Sequence, residues 1–346
     1  KFANTQHNSV LELRTKLNDK FSNNLIVGYS IIRDERQTAG TLFPFIEIRA
    51  IDGFSSNVAS LGSERSSVAN QLDQDVIELT DNFKMSLGNH NITVGTHNEF
   101  FKFRNLFINN YNGRWTYNSV ANFIAGTPDQ LQATYSRIPG VAKPEATFTA
   151  AQLGFYVQDE FEAAKGLKLT AGLRMAVIGF ENTSIENPAI TAMTFANGEK
   201  VNTGVMPKTQ VLFEPRLGFN YDLKGQKKTQ FRGGTGIFTG RPPYVFLSNQ
   251  VGNNGVLTGF IDVSGAAAAQ YGFTADPNKY FIPSTPTLPS TFDLALTDPN
   301  YKFPQVWKTN LAVDQKLPFF GLVASAEYLY NKTLNAVHYY EANLKA

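Results

Sequence analysis

The stretch LFEPRLGFNYDL at residues 212–223 decides the fold. Phe213, Leu217, Phe219, Tyr221 and Leu223 alternate with Glu214, Arg216, Asn220 and Asp222. Side chains of a strand point to opposite faces with period two, so this ribbon has one oily face and one wet face. A helix cannot hold that phase. Gly225-Gln226-Lys227-Lys228 then turns the chain into a second run over 229–240.

Outward from this hairpin the same pattern recurs. Leu11, Leu13 and Leu17 oppose Glu12, Arg14, Lys16 and Asn18, and a turn over 19–24 leads to Leu25, Val27, Tyr29 and Ile31 in phase. Ile77, Leu79, Phe83, Met85 and Leu87 oppose Glu78, Thr80, Asn82 and Lys84, and Gly88-Asn89-His90 turns into 91–104. Leu153, Phe155 and Val157 oppose Tyr156, Gln158, Glu160 and Glu162; beyond Lys165-Gly166, Leu167, Leu169, Ala171, Leu173, Met175 and Val177 oppose Lys168, Thr170 and Arg174. A last hairpin joins 304–316 to 321–333. The total is about ten strands, each near the 9–11 residues that cross a bilayer at a tilt.

The connectors alternate between short turns and long segments, 34–75, 105–150, 181–210 and 241–303, rich in Asn, Ser, Thr, Gly and Pro. Soluble domains rarely carry several structureless loops of that length, whereas outer-membrane barrels pair short periplasmic turns with long extracellular loops. The expected fold is therefore all-β: an antiparallel transmembrane β-barrel, partial, with the short turns toward the periplasm and 241–303 outside. Phe161 and Phe319-Phe320 near the turns, and Phe100, Phe101, Phe103, Phe107, Phe180 and Trp307 near the loops, stand where a barrel places its aromatic girdles.

Composition agrees. Aromatic residues make up 13% of the 346 and charged residues only 17%, against about 25% charged in soluble domains. No run approaches the ~20 apolar residues of a membrane-spanning helix. A net charge of +2 does not point to nucleic acid. With no cysteine, disulfide frameworks and thiolate metal sites are excluded. The opening KFANTQHNSV has neither the basic nor the apolar part of a signal peptide.

The run LGFYVQDEF at 153–161, continuing through KGLKLTAGLRM at 165–175, resembles a barrel hairpin common among TonB-dependent receptors. EPRLGFNYDL at 214–223 looks like the first strand of the next hairpin, and FRGGTGIFTGRPPYVFLSNQVGNNG at 231–255 like its partner and loop. ELTDNFKMSLGNHNITVGTHNEFFKFRNLFI at 78–108 is similar to the Oar-like branch found in Bacteroidota. The resemblance implies a receptor of the bacterial outer membrane that takes up a scarce ligand (metal chelate, glycan or peptide) and is energised by a TonB-type complex acting on a plug domain. Such barrels have 22 strands around a plugged lumen. The plug, the energy-coupling box and the aromatic-terminated last strand have no counterpart between Lys1 and Ala346, so residues 1–346 are expected to be an interior part of one barrel domain.

No catalytic constellation, cofactor or metal site is expected. GGTGIFTG at 233–240 lacks the G-x-G-x-x-G spacing and a following helix pattern, so it reads as small residues in a strand where backbones approach closely. His90 reads as a turn residue and His97 as an inward strand position. Arg14, Glu160, Arg174, Arg216 and Arg232, with Glu12 and Glu214, are expected in the lumen as an ion-pair network. Ligand contact is expected in the loops, because binding residues concentrate on loops held by a rigid scaffold. Tyr244, Phe246, Asn249, Gln250, Asn253 and Asn254 combine flat apolar surfaces with amide hydrogen-bonders, and the alternative is an ordinary loop over the barrel mouth. The runner-up function is a barrel that only anchors adhesive or binding loops.

Overall fold

The computed structural model describes all residues except 39, 227, 242–243, 277–278, 280–293 and 345–346. Lys227 of the fourth turn, Pro242 and Pro243 of the proposed binding loop, and part of the 241–303 connector thus lie outside the described residues.

Alternating runs become strands because each can bury or lipid-solvate one face while the other stays wet. In chain order the strands are β1 (Phe2–Lys16), β2 (Phe21–Arg36), β3 (Phe45–Ile48), β4 (Ala59–Leu61), β5 (Ala69–Leu87), β6 (His90–Ile108), β7 (Arg114–Tyr117) and β8 (Gln130–Ser136). They continue as β9 (Ala146–Ala164), β10 (Leu167–Phe180), β11 (Gln210–Asp222), β12 (Thr229–Thr239), β13 (Thr258–Ser264), β14 (Gln305–Lys316) and β15 (Val323–Asn335). Among the described residues, four short α-helices punctuate them: α1 (Val120–Ile124), α2 (Pro188–Ala192), α3 (Tyr244–Gly252) and α4 (Ala266–Ala269).

Ten strands form one antiparallel sheet in the order β1-β2-β5-β6-β9-β10-β11-β12-β14-β15. These are the ten expected, joined by the expected short turns. Register keeps the oily positions in line: Leu169 pairs with Phe161 on one side and Phe219 on the other, and Leu173 with Val157 and Pro215. Among the described residues, none covers the oily face, with Leu217 61% and Leu173 46% exposed. Among the described residues, no strand pairs with the outer edge of β1 or of β15.

GGTGIFTG lies almost wholly within β12. A Cβ on Gly233 would stand 2.7 Å from the Asn310 carbonyl oxygen and 2.8 Å from Phe219, which is the close backbone approach that favours glycine there.

Two expectations need correction. β5, β6 and β9 have 19 residues each, about 60 Å at ~3.3 Å per residue. That is far more than an apolar band of about 25 Å requires, even tilted. Their upper parts rise above the band, and there the outer face turns charged. Arg33 Nη2 lies 2.6 Å from Asp75 Oδ1, Arg104 Nε lies 3.6 Å from Glu145, and Arg104 also pairs with Asp73.

The second correction concerns the long connectors, which are not structureless. Strands from three of them form a second sheet in the order β13-β8-β7-β3-β4, with β3 and β7 parallel. It has its own core of Ile46, Ile48, Trp115, Tyr117, Leu131 and Ala133. Opposite that core, Glu47 accepts from Arg114 at 2.9 Å and from Arg49 at 2.7 Å. Burial pushes the Glu47 carboxyl up, but hydrogen bonds from Arg49 and Arg114 outweigh it and hold the group below the ordinary 4.5.

Candidate ligand-binding site

The segment after β12 was expected to be a loop; Tyr244–Gly252 is helix α3. Four of its five buried residues, Tyr244, Leu247, Ser248 and Val251, follow an i, i+3, i+4, i+7 spacing, which puts them on one helix face; the fifth is Gln250. That face packs onto inward positions of β6 and β9, making a cluster of Phe101, Phe103, Phe148, Tyr244, Leu247 and Val251. The Tyr244 ring centroid stands 5.1 Å from that of Phe101 and 4.9 Å from that of Phe103. Phe101 and Phe103 are therefore core residues under α3, and Phe180 packs against the same cluster; none of the three belongs to a girdle. Phe100, Phe107 and Trp307 stay exposed. Just ahead of α3, Arg241 pairs with Glu99 on β6.

The six loop candidates separate by burial. Tyr244 is 8% exposed, with its hydroxyl unpartnered among the described residues, and burial pushes its phenol well up. Phe246 is half-buried, edge-on to Tyr339 with centroids 5.3 Å apart. Gln250 and Asn254 are both 0% exposed. Gln250 Nε2 donates to the Thr203 and Val205 carbonyls at 3.2 and 2.8 Å, and its Oε1 accepts from the Thr297 amide at 3.0 Å. Asn254 Oδ1 accepts from the Val256 and Leu257 amides at 2.8 and 3.2 Å. Gln250 thus ties the 181–210 connector to the 241–303 one, and Asn254 closes a turn within its own connector; neither is exposed, contrary to the expectation of an open binding surface.

Asn249 and Asn253 open onto a cleft of about 70 Å³ between α3, the top of β6 and the β8–β13 edge of the second sheet. Asn105, Asn109, Thr134 and Ser248 share its wall, with Gly252 and Gly259 exposing backbone. Asn105 Nδ2 donates to Ser248 Oγ at 2.6 Å, while Asn109 Oδ1 is buried without a partner among the described residues. None of the lining residues carries a charge. Such a wall matches a neutral hydroxyl- or amide-bearing group. Asn105, Asn109 and Thr134 escaped the sequence reading because they come from another connector, 105–150, and meet Asn249 and Asn253 only once both sheets form.

Among the wet-face residues, two of the five candidates converge. Arg216 Nη2 lies 2.7 Å and Arg174 Nε 3.9 Å from Glu214, whose side chain is 4% exposed. They line a cavity of about 290 Å³ with Thr80, His97 and Tyr156. Tyr156 donates to Asn82 Oδ1 at 2.7 Å, and His97 Nδ1 lies 2.7 Å from Thr80 Oγ1. The others stand apart: Arg14 on Glu12 at 2.8 Å, Glu160 on Lys168 at 3.3 Å, and Arg232 on Asp314 at 3.0 Å and Glu327 at 3.6 Å. His90, read as a turn residue, opens β6, with Nδ1 2.6 Å from Asp159.

No curated protein matches this sequence. Several solved structures are similar. The outer membrane transporter YddB from Escherichia coli is 12% identical at a TM-score of 0.55, covering 96% of this chain and 34% of that one. The closed form of the ferric-catecholate import receptor Fiu from E. coli K12 is 12% identical at 0.48, with 96% and 41% covered. The copper transporter OprC is 10% identical at 0.46, with 90% and 36% covered. The chain thus spans about a third of the length of the first of these. The family model of the outer membrane beta barrel domain matches residues 2–346. With the oily outer face and the alternating connectors, this places the chain in the bacterial outer membrane, and it belongs to the outer membrane beta barrel domain family.

Proposed function

We propose that the chain supplies the wall and mouth of an energy-coupled receptor taking up a scarce ligand: a metal chelate, a glycan or a peptide. The observation behind this reading is the asymmetry of the connectors. One end of the ten-stranded sheet has short turns, while the other carries a second sheet, α3 and an uncharged cleft above a wall lined with ion pairs. The mouth captures the ligand through Asn249, Asn253 and Asn105, and the wet face guides it inward. The unpaired edges of β1 and β15 would leave backbone groups unsatisfied in hydrocarbon at several kcal/mol each. In this reading further strands of an Oar-like receptor, from a Bacteroidota-type organism, complete the wall around a plug that a TonB-type complex moves.

Growth of a deletion strain on single iron, glycan or peptide sources tests the proposal, with labelled uptake measured with and without a protonophore. Loss of growth on one source, and uptake abolished by the protonophore, is the expected result. Unchanged growth on every source, or uptake indifferent to the protonophore, overturns it. A second reading, a barrel that anchors binding loops without transport, draws on the separate core of the second sheet; it requires surface binding of ligand with no uptake.

A further inference from the structure

The ion-pair network of the wet face does not close at Arg174. This residue stands at the middle of β10, opposite Glu214 of β11 on one side and Tyr156 of β9 on the other. Its Nε is 3.9 Å from Glu214, beyond hydrogen-bond reach, and its guanidinium makes no hydrogen bond among the described residues. Glu214 gives its short contact, 2.7 Å, to Arg216 instead. One carboxylate thus serves two guanidiniums. Lys308 on β14 adds a third cation to the row, opposite Gly236 of β12, which itself pairs with Arg216. Across the cavity, Glu78 lies 3.6 Å from His97 Nδ1, so three cations meet two carboxylates.

The cations are held in place. The Arg174 side chain is 18% exposed, and its Cζ lies 5.8 Å from the Tyr156 ring centroid. A Cβ on Gly154 would fall onto that guanidinium, so glycine there leaves the room it occupies. Arg216 Cζ stands 4.7 Å and Lys308 Nζ 5.9 Å from the Phe238 ring centroid. Arg174 and Arg216 both line the cavity of about 290 Å³, where Gly172, opposite Arg216, leaves backbone bare. A guanidinium carries five N–H donors and no acceptor. In a half-buried site, donors left unmet are costly.

We propose that this cavity is an anion subsite on the barrel's inner wall, taking a carboxylate-bearing ligand between Arg174 and Arg216. A guanidinium grips a carboxylate as a planar fork, with stronger hydrogen bonds than neutral pairs give. Glu214 holds Arg216 in position, and Gly154 gives Arg174 the space from which it meets the ligand. The cleft at the mouth offers no such counter-charge. Combined with the uptake reading, on which this last step alone rests, the subsite narrows the cargo to an acidic one.

Calorimetric titration of the purified full-length protein in detergent tests this with succinate, a small dicarboxylate, and succinamide, its uncharged counterpart. Succinate should bind saturably and succinamide roughly tenfold more weakly or worse, the size expected for losing hydrogen bonds to a charged group. Arg174→Gln should weaken succinate by a similar factor. Gly154→Ala keeps every charge yet displaces the Arg174 guanidinium, so it should weaken succinate too. Lys84→Gln, a wet-face cation outside the cavity, should leave binding unchanged, and heat-modifiable migration shows that each barrel is folded. The proposal is overturned by no succinate binding, by equal binding of succinamide, or by a Lys84→Gln variant that loses as much. It is overturned equally by binding indifferent to Arg174→Gln or Gly154→Ala in a folded barrel. Protonophore-sensitive uptake without succinate binding would sink this subsite and leave the uptake reading standing.

Discussion

Replacing Leu247 by alanine probes whether α3 sits in the barrel mouth. Leu247 is 1% exposed within the aromatic cluster over β6 and β9. Truncation removes its transfer free energy and leaves a cavity, and for fully buried leucines the two together cost about 3 kcal/mol. α3 is joined to the wall mainly through this face and the Arg241–Glu99 pair, so the loss should appear as local opening rather than global unfolding. At 1.4 kcal/mol per factor of ten, opening becomes roughly a hundredfold more frequent. Limited proteolysis of the full-length protein in membranes reads this directly, as cleavage between residues 240 and 258 under conditions where closing outpaces cutting. Tyr244→Phe is the paired control. It keeps the ring and deletes a buried, unpartnered hydroxyl, so cleavage should be unchanged or slower. Equal cleavage of Leu247→Ala and the parent would refute the packing argument.

Further outcomes follow from other positions. Leu173→Arg, mid-strand on the oily face, should cost roughly 2–4 kcal/mol of membrane-embedded stability, whereas Lys168→Glu on the wet face should fold nearly normally; equal effects in a denaturant titration would undo the face assignment. Gly95→Ala should destabilise the β5–β6–β9 region, because its methyl would meet the Asp81 carbonyl oxygen at 2.7 Å and the Tyr156 ring at 2.6 Å; an unchanged unfolding midpoint would contradict this. Because Glu47 is held below its ordinary 4.5, its stabilising effect is complete above that value and lost as pH falls through the lowered one. Trp115 fluorescence in a Trp307→Phe background should therefore shift below about pH 4.5, and Glu47→Gln should remove that transition.

Much of the barrel was legible because period two is a local property. Residues 212–223 and each comparable run carry their own evidence of a two-faced ribbon, and the short turns fix which runs pair. The mouth was not legible in the same way. β3, β7 and β8 are four to seven residues long, too short for alternation to stand out, and their partners come from distant connectors. α3 did have local signals: two prolines before it, Gly252 at its end, and Tyr244, Leu247 and Val251 on one face. They were outweighed by the surrounding turn-forming residues. Asn249 and Gln250 are adjacent amides with opposite fates, one in the cleft and one wholly buried, a distinction that only the helix phase supplies.

The most direct test is a spin-label scan of β10, residues 167–177, in lipid, comparing collision with oxygen, which concentrates in hydrocarbon, against a water-soluble nickel chelate. Labels at Leu169, Ala171, Leu173 and Met175 should favour oxygen, and those at Lys168, Thr170, Gly172 and Arg174 should favour nickel, alternating residue by residue. A scan without that alternation, or with its phase reversed, would contradict an outer face in lipid and an inner face in water.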